Sequence, residues 1–202
     1  MSTNRMESFS DAVIAVAITL LVLDITVPAA RPGVSLAHEL GQHWPNDAAY
    51  VTSFVTIGII WINHHAMVSR LREADHMILI LNNLLLLTIG ILPFATALMA
   101  AYLRRSHGQH LAAGVYGGAF LLMAIAFATL NRHILLRKPQ LLVEELPEPR
   151  RRAILRRSVA GLFPYVLAVA LAPLSAYLTL VICAGLAVFY ALPVASGTGA
   201  AR

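Results

Sequence analysis

The chain has 202 residues, of which 58% are hydrophobic and only 12% charged, with a mean hydropathy of +0.73 and a formal net charge of +5. Soluble domains carry roughly 45–50% apolar and about 25% charged residues, so the composition excludes an ordinary water-soluble fold and reads as an all-α integral membrane protein. At about 20 apolar residues per span the length admits five or six helices with short loops and no sizeable soluble catalytic domain. The one cysteine, Cys183, lies in an apolar run, which excludes a disulfide framework and a multi-cysteine metal site.

Six apolar segments of spanning length follow in chain order, at 9–27, 48–68, 78–103, 111–130, 159–174 and 176–194, and together they make a single transmembrane unit over 1–202. The first holds most of the intramembrane polarity: Arg5, Glu7, Ser10, Asp11, Thr19 and Asp24 lie along one short stretch. Ionisable groups in hydrocarbon cost several kcal/mol unless paired or hydrated, so this helix is expected to be surrounded by protein or water. The acidic Glu7 and Asp11 also argue against a cleaved signal peptide despite the small residues at 28–30. Two readings of Ser10 and Asp11 stay open here. They cap the helix start, or they reach polar groups on spans two and three, the candidates being Trp61, Asn63, His64, His65, Asn82 and Asn83.

Adjacent positions diverge by about 100° on a helix, so His64 and His65 do not suit one metal ion. His38, His43, His107 and His110 fall in loops on the other side and read as solvated. The polar stretch 132–158, broken by Pro139, Pro147 and Pro149, is a loop or a short surface helix. Around Pro173 the last two segments form either a tight hairpin or one broken span.

With six spans both termini share a side. Arg5, Arg70, Arg72, Arg132, Arg137, Lys138, Arg150, Arg151, Arg152, Arg156, Arg157 and Arg202 fall there, against Arg31, Arg104 and Arg105 opposite, so both termini are expected in the cytoplasm. The basic cluster Arg150–Arg157 then faces anionic lipid headgroups; no interleaved aromatic residues support nucleic-acid binding. No nucleophile with an oriented base and no glycine-rich phosphate loop occurs, which argues against an enzyme.

The pattern Arg5-x-x-x-Phe9-Ser10-Asp11, the run ending in Asp24-Ile25, Trp61-Ile-Asn-His64-His65, Leu81-Asn82 and Pro93-Phe94 resembles the transmembrane protein 175 family. The likeness is specific through span three and topological beyond it. It implies a six-span, potassium-selective cation channel that is a homotetramer in a bacterial inner membrane, with K+ as permeant ion and no cofactor. It also implies that the first helix lines a central pore, without the carbonyl-lined Thr-Val-Gly-Tyr-Gly filter of ordinary potassium channels. Carried over from the Phe-Ser-Asp motif, the family's constriction falls on Val16, Leu20 and Leu23, with a selectivity threonine at Thr19. Offsets of three and four put these four on one stripe, although a packing seam has the same period. Val16 stands where the family usually has isoleucine or leucine, which leaves open whether Leu20 or Leu23 forms the narrowest ring.

The competing reading is a secondary transporter with a mid-membrane substrate site. Transporters usually show inverted repeats with spans broken at matched positions, and Pro93 and Pro173 are not matched.

Overall fold

A computed structural model describes residues 3–25, 27 and 32–191. Eight α-helices account for most of them: α1 Thr3–Leu21, α2 Leu36–Gln42, α3 Trp44–Val68, α4 His76–Tyr102, α5 Gln109–Arg132, α6 Glu148–Ala160, α7 Leu162–Leu171 and α8 Ala176–Ala191. Among the described residues the only β pairing is an isolated bridge between Leu71 and Leu142. Among the described residues four helical stretches are long and apolar enough to cross a membrane: α3, α4, α5 with its extension to Arg137, and the run Glu148–Leu171 formed by α6 and α7. The chain is a multi-pass membrane protein. α1 carries Arg5, Glu7 and Asp11 within its 19 residues, and α8 has 16, so neither is among the four.

Helix α4 is the centre of the bundle. Leu85, Ile89 and Leu92 on it are fully buried, and it packs on α1, α3 and α5. Helix α5 joins this group to a second one, packing on α7 and α8 at Phe120 and Gly117. Phe120 lies edge-on to Tyr116 at 4.9 Å between centroids and stacks on Tyr165 of α7 at 5.9 Å. Where α5 meets α7 and α8 the approach is close: a Cβ on Gly117 would stand 3.3 Å from both the Thr179 and Val169 methyl groups. Pro93 sits inside α4 without ending it, as membrane helices tolerate when packed neighbours satisfy the freed groups.

Several boundaries depart from the hydropathy reading. Among the described residues the first helix begins at Thr3, ahead of the apolar run at 9–27, and it tightens to a 3₁₀ turn over Val22–Asp24. Hydropathy cannot see polar residues that enter a helix paired with neighbours. The connection after it holds the short helix α2, whose first turn is capped by the Ser35 hydroxyl accepting from the His38 N–H at 3.3 Å. In the polar stretch 132–158, α5 runs on through a π-helical turn at His133–Arg137, and α6 is helical from Glu148. Pro149 lies in the first turn of α6, where a missing N–H costs nothing. The segments around Pro173 form the tight hairpin: the Thr179 hydroxyl of α8 donates to the Ala168 carbonyl of α7 at 3.0 Å. The last expected segment extends to residue 194, beyond the described residues.

Candidate functional site

Helix α1 packs on α3 and α4 through Met6, Ser10, Ile14, Ala17 and Leu21, a buried face repeating every three to four residues. Ser10 is the polar member of that face, fully buried, and a directed chain of hydrogen bonds runs through it. The Asn82 amide of α4 donates to Ser10 Oγ at 3.0 Å, and the Ser10 hydroxyl donates to the Met6 carbonyl at 2.8 Å. With the Asn82 nitrogen so committed, its Oδ1 is the acceptor toward His64 Nε2 of α3 at 2.8 Å, which places the ring proton on Nε2. The buried His64 Nδ1 has no hydrogen-bond partner among the described residues, and as an unprotonated acceptor it is the less costly atom to leave bare.

Two further contacts flank this chain. The Trp61 indole N–H donates to Asp11 Oδ1 at 2.9 Å, and His65 Nδ1 meets Glu7 Oε1 at 2.7 Å. Ser10 and Asp11 therefore lie about two turns inside α1, engaged with α3 and α4 rather than capping a helix start. His64 and His65 point at different helices. Asn63 instead bonds its own helix at the Ile59 carbonyl, and Asn83, Arg5 and Phe9 are exposed.

The opposite side of α1 is an exposed apolar stripe. Thr19 stands about half a turn round from the buried Ala17 and Leu21, and its hydroxyl donates to the Val16 carbonyl at 2.9 Å. Val16 and Leu23 flank it and are 57% and 72% exposed, while Leu20 and Val22, nearer the two edges, are 43% and 48% exposed. The 3₁₀ turn at Val22–Asp24 advances each residue by about 120° instead of 100°, so Leu23 is rotated from where a straight α-helix would carry it.

Two features carry no obvious sequence signal. Between α3, α4 and α5, the Ser53 hydroxyl is 2.7 Å from that of Thr96 and 3.2 Å from the Tyr116 hydroxyl, all buried. Lone serine and threonine residues in apolar helices read as tolerated, and only their convergence gives them meaning. The second is a strap on the face that holds the arginines. Arg72 N–H donates to the Leu141 carbonyl and Val143 N–H to the Arg70 carbonyl, so the loop after α5 pairs with the loop after α3. Lys138 in that strap lies 3.0 Å from Asp75, the N-cap of α4, whose side chain accepts from the Ile78 N–H at 2.8 Å. That backbone donor, aided by the Lys138 ammonium, holds the Asp75 carboxyl below the ordinary carboxylate range.

Residues 5–93 match the family described as endosomal/lysosomal potassium channel TMEM175. A potassium channel of Streptomyces collinus is 44% identical over 188 residues, covering 93% of this chain and 91% of that protein. A potassium channel of Chamaesiphon minutus is 39% identical over 94% of both chains. The crystal structure of a lysosomal potassium-selective channel TMEM175 homolog from the same organism superimposes with a TM-score of 0.83 at 38% identity, covering 94% of this chain and 96% of that one. The endosomal/lysosomal proton channel TMEM175 of Gallus gallus is 39% identical over 117 residues, but these make up only 23% of that protein. The chain belongs to the TMEM175 channel family.

Proposed function

We propose that this chain is the pore-forming subunit of a potassium-selective cation channel, with six spans, both termini in the cytoplasm and four copies around one axis. The carrying observation is the division of α1: a polar and apolar face bound to α3 and α4, and an opposite stripe on which Val16, Thr19 and Leu23 are exposed and Leu20, at its edge, is 43% exposed, among the described residues. One such helix cannot enclose a path, whereas several related by closed cyclic symmetry can. The near full-length likeness to relatives named potassium channels favours K+ over the proton named for the animal relatives, of whose length this chain spans about a quarter.

In this reading the apolar side chains of Val16, Leu20 and Leu23 form rings that offer an ion no oxygen in place of its water. Dewetting of such a constriction blocks conduction in the closed state. Thr19, centred on the stripe, supplies four hydroxyl oxygens to a partly dehydrated ion. The Phe9-Ser10-Asp11 segment sets the rotation of α1, because Ser10 and Asp11 fix the helix on Asn82 and Trp61.

The test is flux from potassium-loaded liposomes holding the full chain. Leu23→Asn and Leu20→Asn are expected to raise basal potassium flux, the former more, and Val16→Ile to leave it equal or lower. Thr19→Val is expected to change the potassium-to-sodium ratio more than the total current. Saturating transport, or coupling to a proton gradient, would replace the channel by a transporter. A monomer or dimer by native mass measurement in detergent would overturn the assembly.

A further inference from the structure

The helices α6 and α7 are continuous, since the Gly161 N–H donates to the Arg157 carbonyl at 3.1 Å, and the run Glu148–Leu171 has only 11% of its most apolar window buried. At about 100° per residue, the buried Tyr165, Ala168 and Ala172 define its inward side. The opposite side carries Arg152, Arg156, Val159, Phe163 and Val166, all exposed, in one line. Cationic and apolar residues therefore share a face and are separated along it.

From this alignment we propose that the outward face of α6–α7 seats an anionic phospholipid, its phosphate held by Arg152 and Arg156 and its acyl chains lying along Val159, Phe163 and Val166. Depth agrees with the assignment. The stretch from Ser158 to Leu174 extends roughly 25 Å at about 1.5 Å per residue, close to the ~30 Å hydrocarbon thickness, so the two guanidinium groups reach headgroup level above the apolar part. Their i, i+4 spacing brings them within reach of one phosphate, and arginine suits a multidentate grip on its oxygens. A cavity of about 250 Å³ opens there, lined by Glu148, Pro149, Arg152 and Arg156. Glu148 pairs with Arg152, but both side chains are more than half exposed, so this pair is weak and yields to a phosphate. Arg156 has no ion-pair partner among the described residues, which makes it the first contact. Arg150 and Arg157 lie on the other side of α6 and serve as controls of equal charge.

The inference requires a membrane-embedded chain but not a conducting one, so it is read by binding rather than flux. Purified full-length protein is equilibrated with phosphatidylglycerol or phosphatidylcholine in detergent, and retained lipid is counted by native mass spectrometry. Wild type is expected to retain phosphatidylglycerol preferentially. Arg152→Gln with Arg156→Gln should lower that retention about 30-fold, since about 1 kcal/mol per surface arginine makes about 2 kcal/mol for the pair. Arg150→Gln with Arg157→Gln should lower it less, and Arg152→Lys with Arg156→Lys should keep most of it. Unchanged helicity of each variant shows that the fold is intact. Equal retention of the two lipids by wild type, or equal losses in the two glutamine pairs, would overturn the site.

Discussion

The two halves of the bundle are held together by different physics. Where α1, α3 and α4 meet, a buried serine, an asparagine and a histidine form a directed chain, flanked by an aspartate on an indole and a glutamate on a second histidine. Where α5, α7 and α8 meet, the contact is mostly stacked aromatic rings, alanines and a glycine, with two side-chain bonds to backbone carbonyls, Thr179 to Ala168 and His110 to Ala172. In a membrane, apolar packing is nearly indifferent to rotation about the helix axis, because lipid is as apolar as leucine. A directed polar chain fixes the rotation. The lesson is that the half whose helix must present one particular face is the half that carries the directed chain of hydrogen bonds.

The largest effect expected from breaking this contrast is at Asn82, which serves two helices at once. Asn82→Ala leaves buried Ser10 and His64 without it, and each unpaired buried group costs about 1–3 kcal/mol, so a loss of about 2–6 kcal/mol is expected. Thermal unfolding of the purified protein in detergent reads this; an unchanged midpoint would reduce the chain of bonds to ornament. On the other side, Gly117→Leu forces a side chain against Thr179 and Val169 at a cost of about 1–3 kcal/mol. Here the comparison predicts a split. Asn82→Ala should disturb ion flux in the variant that still folds, whereas Gly117→Leu should lower the midpoint and leave the potassium-to-sodium ratio unchanged.

A smaller effect is expected at Asp75, which caps α4 at the arginine-bearing end. Losing an N-cap side chain costs about 0.5–2 kcal/mol, so Asp75→Ala should lower the midpoint modestly. The pH dependence has a definite sign. The Asp75 carboxyl is held below its ordinary value, so its stabilisation is full above the unfolded carboxylate range and is lost as pH falls through the folded value. The difference between wild type and Asp75→Ala should therefore be constant near neutral pH and shrink on acidification. A difference that grows in acid would contradict the cap.

Much of the first half was legible in the sequence because polarity in an apolar helix is conspicuous. Ser10, Asp11, Trp61, His64, His65 and Asn82 stand out one by one, and the structure joins Ser10 to Asn82 and through it to His64, and Asp11 to Trp61, while His65 meets Glu7 instead. Asn63 and Asn83 stood out equally and do not join, since residue type gives depth along a helix but not which side faces a neighbour. In the second half Gly117, Ala168 and Tyr116 are ordinary membrane-helix residues, and their value lies in distances no periodicity encodes. Helix α1 reaches back to Thr3, ahead of the apolar run at 9–27, for a related reason. Hydropathy scores Arg5, Glu7 and Asp11 as solvent-facing, while Glu7 and Asp11 are paired across to α3 within a helix.

The smallest expected effect sharpens the comparison from within the polar half. Glu7 and His65 are close, at 2.7 Å, but the His65 side chain is 58% exposed, so solvent competes for both groups. An exposed contact of this kind, an ion pair only when the ring is protonated, is worth about 0–1 kcal/mol and then weakens with salt, because the charges are screened and two flexible side chains must be held in one geometry. The neighbouring Asp11–Trp61 bond is also partly exposed, Trp61 being 43% exposed, but its donor is neutral and a hydrogen bond to a charged acceptor is worth about 1.5–3 kcal/mol. A double-mutant cycle with Glu7→Gln and His65→Ala should therefore give a coupling below about 1 kcal/mol that falls as salt is raised. The corresponding cycle with Asp11→Asn and Trp61→Phe should give a larger coupling that salt leaves nearly unchanged. If the Glu7–His65 coupling proved the larger and survived molar salt, the rotation of α1 would be set at its exposed end, and the buried chain through Asn82 would no longer explain which face the helix presents.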